Sequence, residues 1–168
     1  CYSSEHIKDI ENIKNTYSFD FLVGSIHFID GWAFSHKKQL WRKENYNLND
    51  LYKRYYELMY ELADSNLFSG LAHPNSLQCF GAYPIGGYDT ECNRIAKALK
   101  ENNMYIEESS GLAINYGDTE LGMSGKMLKA MILQNVQILT ASDAHIPQDV
   151  GKLIFEMNDL ISKAEQSS

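Results

Sequence analysis

The sequence predicts an α/β fold, in which a leading helix is followed by four strand–helix units around a parallel sheet. Two observations predict it. Short apolar, β-rich runs alternate with longer segments of helical periodicity, and such alternation requires parallel strands joined by crossover helices. Three of the runs also end alike. Phe21 and the residues after it run into His27, Gly70-Leu71-Ala72 runs into His73-Pro74, and Val136 and its successors run into Asp143-Ala144-His145. In a barrel of repeated strand–helix units the strand C-termini converge on one rim, where such folds carry out their chemistry.

Residues 1–18 are polar with Ile7, Ile10 and Ile13 three apart, which predicts a helix that Ser4 can cap. Residues 19–28, rich in aromatic and β-branched side chains, predict a buried strand. Residues 29–45 read as irregular, with a turn at Asp30-Gly31. Leu48, Leu51, Tyr52, Tyr55, Leu58, Met59 and Leu62 then follow helical spacing, with Asn47 or Asn49 as cap and Ser65-Asn66 as stop. Residues 67–73 predict a short strand, and residues 74–88 a long loop. Asp89 should cap a helix holding Ile95, Ala98 and Leu99 that ends near Asn102-Asn103. A strand over 104–107, a Gly-punctuated loop over 109–122, a helix over 124–134 and a last strand over 136–141 follow. Pro147 suits the first turn of a final helix, whose apolar face is Val150, Leu153, Ile154, Met157, Leu160 and Ile161.

The 168 residues suffice for one domain with a real core, and no internal repeat, linker or low-complexity segment divides them. A formal charge of −7 with no basic stripe argues against nucleic acid as a partner. Lys37, Lys38, Arg42 and Lys43 form a local basic cluster that reads as a solvated face. No apolar run approaches membrane-span length. Cys1, Cys79 and Cys92 are an odd set without CxxC spacing, which disfavours a disulfide framework and fits a reducing, cytoplasmic setting.

His27, His73, Asp143 and His145 are the candidate site. Imidazole and carboxylate together suit zinc, iron or manganese better than calcium or magnesium. Divalent metals there could polarise a phosphoryl oxygen and activate water, which a phosphoester hydrolase needs. Each residue has a plainer reading. A lone strand-end histidine is more often a hydrogen-bonded core residue, Asp143 could cap the last helix, and His73 could belong to a turn. Their recurrence at corresponding positions of a repeated unit is what favours a metal site. His6 and His36 share no such position. Of Glu107 and Glu108, side-chain alternation lets only one face the rim, and a solvated surface pair is the alternative.

These motifs carry a resemblance. Gly24-Ser25-Ile26-His27-Phe28-Ile29-Asp30, Ala72-His73-Pro74, and Ala141-Ser142-Asp143-Ala144-His145 followed by Pro147, Asp149, Val150 and Gly151 resemble the polymerase and histidinol phosphatase (PHP) superfamily, nearest its histidinol-phosphatase branch. The resemblance implies a distorted (β/α)7 TIM-like barrel with up to three metal ions at the C-terminal rim. It implies hydrolysis of L-histidinol phosphate to L-histidinol and phosphate, late in histidine biosynthesis. By position, His27 and His73 would bind one metal, Asp143 a second and His145 a third. Asp143 and His145 are also the candidate catalytic residues, and Glu107 is the candidate substrate contact.

The chain departs from that pattern. The family's N-terminal half, with a His-x-His pair and a bridging Glu, has no counterpart here, and the first residue is Cys1 rather than Met. The expectation is therefore a C-terminal part of a single PHP domain over residues 1–168, with about four C-terminal β/α units. Such a piece would hold fewer metals, expose a strand edge, and need a missing N-terminal half or a second copy. Asn115 stands where related sequences often place a basic residue suited to phosphate. The alternatives are a phosphoesterase acting on another phosphate ester, or a non-catalytic metal-binding remnant.

Overall fold

The computed structural model describes residues 1–36 and 46–167. The basic cluster Lys37, Lys38, Arg42 and Lys43 lies outside the described residues. A 3-10 turn Ser4–His6 leads into α1, Ile7–Thr16. No side chain caps it, so Ser4 does not serve as expected. Ile7 and Ile10 rest on the core while Ile13 is exposed, which leaves α1 a surface helix.

Four strands form one parallel sheet: β1 (Val23–Gly24), β4 (Gly70–Leu71), β5 (Tyr105–Ser109) and β6 (Ile138–Ala141), hydrogen-bonded in that order. The chain always adds its next strand on the same side. Right-handed crossovers then place every connecting helix on one face. The helix contacts agree: α2 (Leu48–Asp64) packs on α3 (Asp89–Glu101), α3 on α5 (Gly125–Leu133), and α5 on α6 (Ile154–Gln166). Between helices and sheet lie Met59, Leu62, Leu71, Ile95, Leu99, Ile106 and Met131, all closed to solvent. Among the described residues β1 and β6 each keep one unpaired edge.

That open edge explains a correction. Residues 19–28 are expected as one buried strand, yet only Val23 and Gly24 join the four-stranded sheet, and Phe21 is 70% exposed. From Phe21 to Ile26 burial alternates, with Gly24 and Ile26 buried and Phe21 and Val23 exposed. This is the period-2 pattern of a strand covered on one face only. The segment read as irregular contains a small hairpin, β2 (Phe28–Ile29) and β3 (Trp32–Ala33), turning at Asp30-Gly31.

α2 begins as its sequence says. Asn47 Oδ1 accepts from the backbone N–H of Asn49 at 3.0 Å and of Asp50 at 3.4 Å. Asn47→Ala should cost about 1 kcal/mol, read as a lower urea midpoint with unchanged slope. Asp89 does not cap α3. Tyr88 holds the left-handed capping position, and Asp89 pairs from the first turn with Lys126 at 2.8 Å. The loop expected over 109–122 contains α4, Gly111–Tyr116, closed by left-handed Gly117. A six-residue helix flanked by glycines looks like a loop in sequence, because those glycines are also its boundaries.

Pro147 opens a separate 3-10 turn, Pro147–Asp149, not the final helix. Left-handed Gly151 and Leu153 delay α6 to Ile154. The expected apolar face is therefore only partly buried: Met157 is fully enclosed, but Val150 is 74% exposed. Cys1, Cys79 and Cys92 form no disulfide. Among the described residues no helix is long and apolar enough to cross a membrane.

Candidate functional site

Because the strands are parallel, their C-terminal ends share one side, and the residues that follow β1, β4 and β6 converge there. A cleft of about 110 Å³ is lined by His27, His73, Asp143 and His145, together with Ser35, Ser76, Cys79, Leu112 and Tyr116. The structure thus brings all four expected residues to one place. His27 and His73 are closest, their ring centroids 4.9 Å apart. Asp143 and His145 follow the edge strand β6 and are exposed. Glu107 is set back: its Oε2 accepts the backbone N–H of His73 at 3.2 Å and so supports the turn that carries that ring.

Two of these residues hold strained backbone. His73 has φ +29° and Asp143 φ +49°, left-handed values uncommon outside glycine. Each strained carbonyl is captured by a nearby side chain. Ser76 Oγ donates to His73 O at 2.8 Å, and Asn115 Nδ2 donates to Asp143 O at 3.0 Å. The Asp143 carbonyl also lies 3.0 Å from His145 Nδ1. The side chain of Asp143 packs against Gly111, where any Cβ would collide with its carboxylate.

The electrostatics favour neutral imidazole at the closed end. Burial, reinforced by the neighbouring His73, holds the His27 pKa down at about 4 against a weaker pull from Asp143. His27 Nδ1 sits 3.1 Å from Ser35 Oγ, and His73 Nδ1 sits 2.5 Å from Ser76 Oγ. Burial raises Glu107 above the usual carboxylate range, with Asp143 adding to the effect and the His73 N–H opposing it.

Glu108 is a buried acid rather than half of a solvated pair. It is 1% exposed and points away from Glu107, accepting the Met123 N–H at 2.9 Å. Burial pushes its pKa up to about 7, only partly opposed by that hydrogen bond. A raised folded-state pKa means the folded protein holds its proton more tightly than the unfolded chain does. The associated stability is then intact below about pH 4.5 and lost as pH rises through about 7. At 1.36 kcal/mol per unit, the loss is on the order of 3 kcal/mol. Glu108→Gln should flatten this decline, so urea midpoints of wild type and variant should diverge between about pH 5 and 8. Parallel profiles would contradict it.

Sequence reasoning missed Ser35, Ser76 and Tyr116 as site residues, and singled out Asn115 only as a position without the basic residue suited to phosphate. Ser76 had a signal, since a serine three residues past a histidine in a turn can reach back to it. Tyr116 had none once α4 was read as loop. Among the described residues no three His, Cys, Asp or Glu side chains are grouped closely enough to hold a metal ion. The donor chemistry nevertheless fits half a site, with two imidazoles side by side and each Nδ1 engaged by a serine.

Residues 3–110 match the PHP domain family, leaving Asp143 and His145 beyond the matched region. A probable histidinol-phosphatase of Deinococcus radiodurans is 24% identical over 151 residues, which cover 86% of this chain and 54% of that protein. A probable histidinol-phosphatase of Schizosaccharomyces pombe is 23% identical over 171 residues, 88% of this chain and 51% of its own length. The chain spans about half the length of the curated relatives it matches.

Proposed function

Because the chain belongs to the PHP domain family, we propose that it is part of a metal-dependent phosphomonoesterase of the histidinol-phosphatase type. The reaction would be hydrolysis of L-histidinol phosphate to L-histidinol and phosphate. One observation carries the reading: His27, His73, Asp143 and His145 meet in a cleft at the C-terminal ends of parallel strands. The names of the two relatives point the same way.

On this reading His27 and His73 hold one divalent ion as neutral imidazoles, and Asp143 and His145 contribute to further ions at the outer edge. Zinc, iron and manganese suit the set. A bound divalent ion supplies Lewis acidity and lowers the pKa of water. The residues of the chain do the positioning. Glu107 and Ser76 hold the strained His73 turn, and Asn115 holds the Asp143 turn. The Asn115 amide is engaged there, so this chain provides no cation at that point for the substrate phosphate. That favours keeping a second substrate class, another phosphate ester, within the proposal.

The whole enzyme would be a distorted (β/α)7 barrel in the cytoplasm. Residues 1–168 would form the C-terminal part of its single PHP domain, with the unpaired edges of β1 and β6 meeting the remaining units or a second copy. The lack of a three-residue metal cluster among the described residues favours a second reading for the chain by itself, a non-catalytic metal-binding remnant. Metal content and turnover of p-nitrophenyl phosphate and histidinol phosphate, measured on one sample, separate the two. Metal with turnover supports a working centre. Little metal and no turnover from the complete parent protein would overturn the enzymatic reading.

A further inference from the structure

We propose that Ser76 selects the tautomer of His73, so that Nε2 rather than Nδ1 is the ring nitrogen offered to the cleft. In its consequence for metal binding, this rests on the reading above. A serine hydroxyl has one proton and two lone pairs. Ser76 Oγ contacts two His73 atoms at once, the carbonyl oxygen at 2.8 Å and Nδ1 at 2.5 Å. A carbonyl oxygen can only accept, so the Ser76 proton is committed to it. The contact with Nδ1 then requires Nδ1–H to donate to Ser76 Oγ. In neutral His73 this leaves the lone pair on Nε2.

The contacts of the hydroxyl are thus assigned: Ser76 O–H donates to His73 O, and His73 Nδ1–H donates to Ser76 Oγ. Ser76 is 6% exposed, and a buried polar group requires such partners. Ser76 is thus a positioning residue for His73. Fixing the second nitrogen in this way orients a ligand histidine and raises its basicity.

The test is nitrogen-15 NMR of the histidine rings at about pH 8, where an ordinary imidazole is neutral. Wild-type His73 should carry its proton on Nδ1. Ser76→Ala should shift His73 toward the Nε2–H form, and Ser76→Thr, which keeps the hydroxyl, should restore Nδ1–H. A wild-type His73 protonated on Nε2 would overturn the proposal, whether or not Ser76→Ala folds. So would Nδ1–H persisting in a folded Ser76→Ala protein. Zinc affinity by chelator competition should fall about 10–100-fold in Ser76→Ala and recover in Ser76→Thr. Failure of the wild type to bind zinc would count against the metal reading, while the ring spectra would still decide the tautomer.

Discussion

Gly122→Ala should destabilise the protein by about 4 kcal/mol or leave it unfolded, although it adds a single methyl group on a loop. Gly122 has φ +76°, which by itself makes any L side chain cost about 1–2 kcal/mol. The larger cost comes from what the methyl would strike. A Cβ at this position collides with the carboxylate of Glu108, which is fully enclosed and has little room to retreat. Moving it would break its bond to the Met123 N–H. The same peptide group is held from its other side, where Asn75 Nδ2 donates to Gly122 O at 2.7 Å. One peptide plane is thus gripped by two buried side chains, and alanine disturbs both. Combining Gly122→Ala with Glu108→Ala should recover part of the loss by removing the collision, leaving mainly the backbone strain and the acid's own contacts. A urea midpoint for Gly122→Ala within about 1 kcal/mol of wild type would show that the loop is looser than this geometry.

The same peptide shows where the sequence stops being legible. The units that pack by periodicity were readable. Asn47 and the apolar stripe of α2 announced their helix, and Met127, Leu128 and Met131 announced α5. The strand ends were readable too, because a histidine after an apolar run is a local pattern, and the parallel sheet brings such patterns to one side. What could not be read is whatever depends on a neighbour distant in sequence. Glu108 and Glu107 are adjacent and chemically alike, yet one is enclosed against Gly122 and the other supports the His73 turn. Only the register of β5 between β4 and β6 decides which is which. Burial of residues 19–28 and of the last helix was overestimated for a related reason. Apolar composition reports the capacity to be covered, whereas Phe21, just before β1, and Phe155, on the helix that packs against β6, are 70% and 83% exposed. Similar exposure at both ends of one sheet fits the proposal that further β/α units or a second copy complete it.

Asp143→Asn in the complete parent protein should reduce kcat/KM by at least about a thousand-fold, equivalent to about 4 kcal/mol of transition-state stabilisation. The substitution isolates charge from shape. Asparagine is nearly isosteric, and it is among the few residues at ease in a left-handed conformation such as the φ +49° of Asp143. The backbone bond from Asn115 to the Asp143 carbonyl does not involve the side chain and should survive. Stability should therefore stay within about 0.5 kcal/mol of wild type while metal content and turnover fall. His27→Ala should match the loss of turnover by a different route, because it removes one of the two adjacent imidazoles and not a charge. If the two variants fail for the proposed reasons, each should lose metal without losing its fold. Near-normal turnover in both would remove His27 and Asp143 from the chemistry and reduce the shared cleft to a structural coincidence. Loss of turnover with metal retained would place them at the substrate instead, and the ligands would then have to be sought elsewhere in the protein.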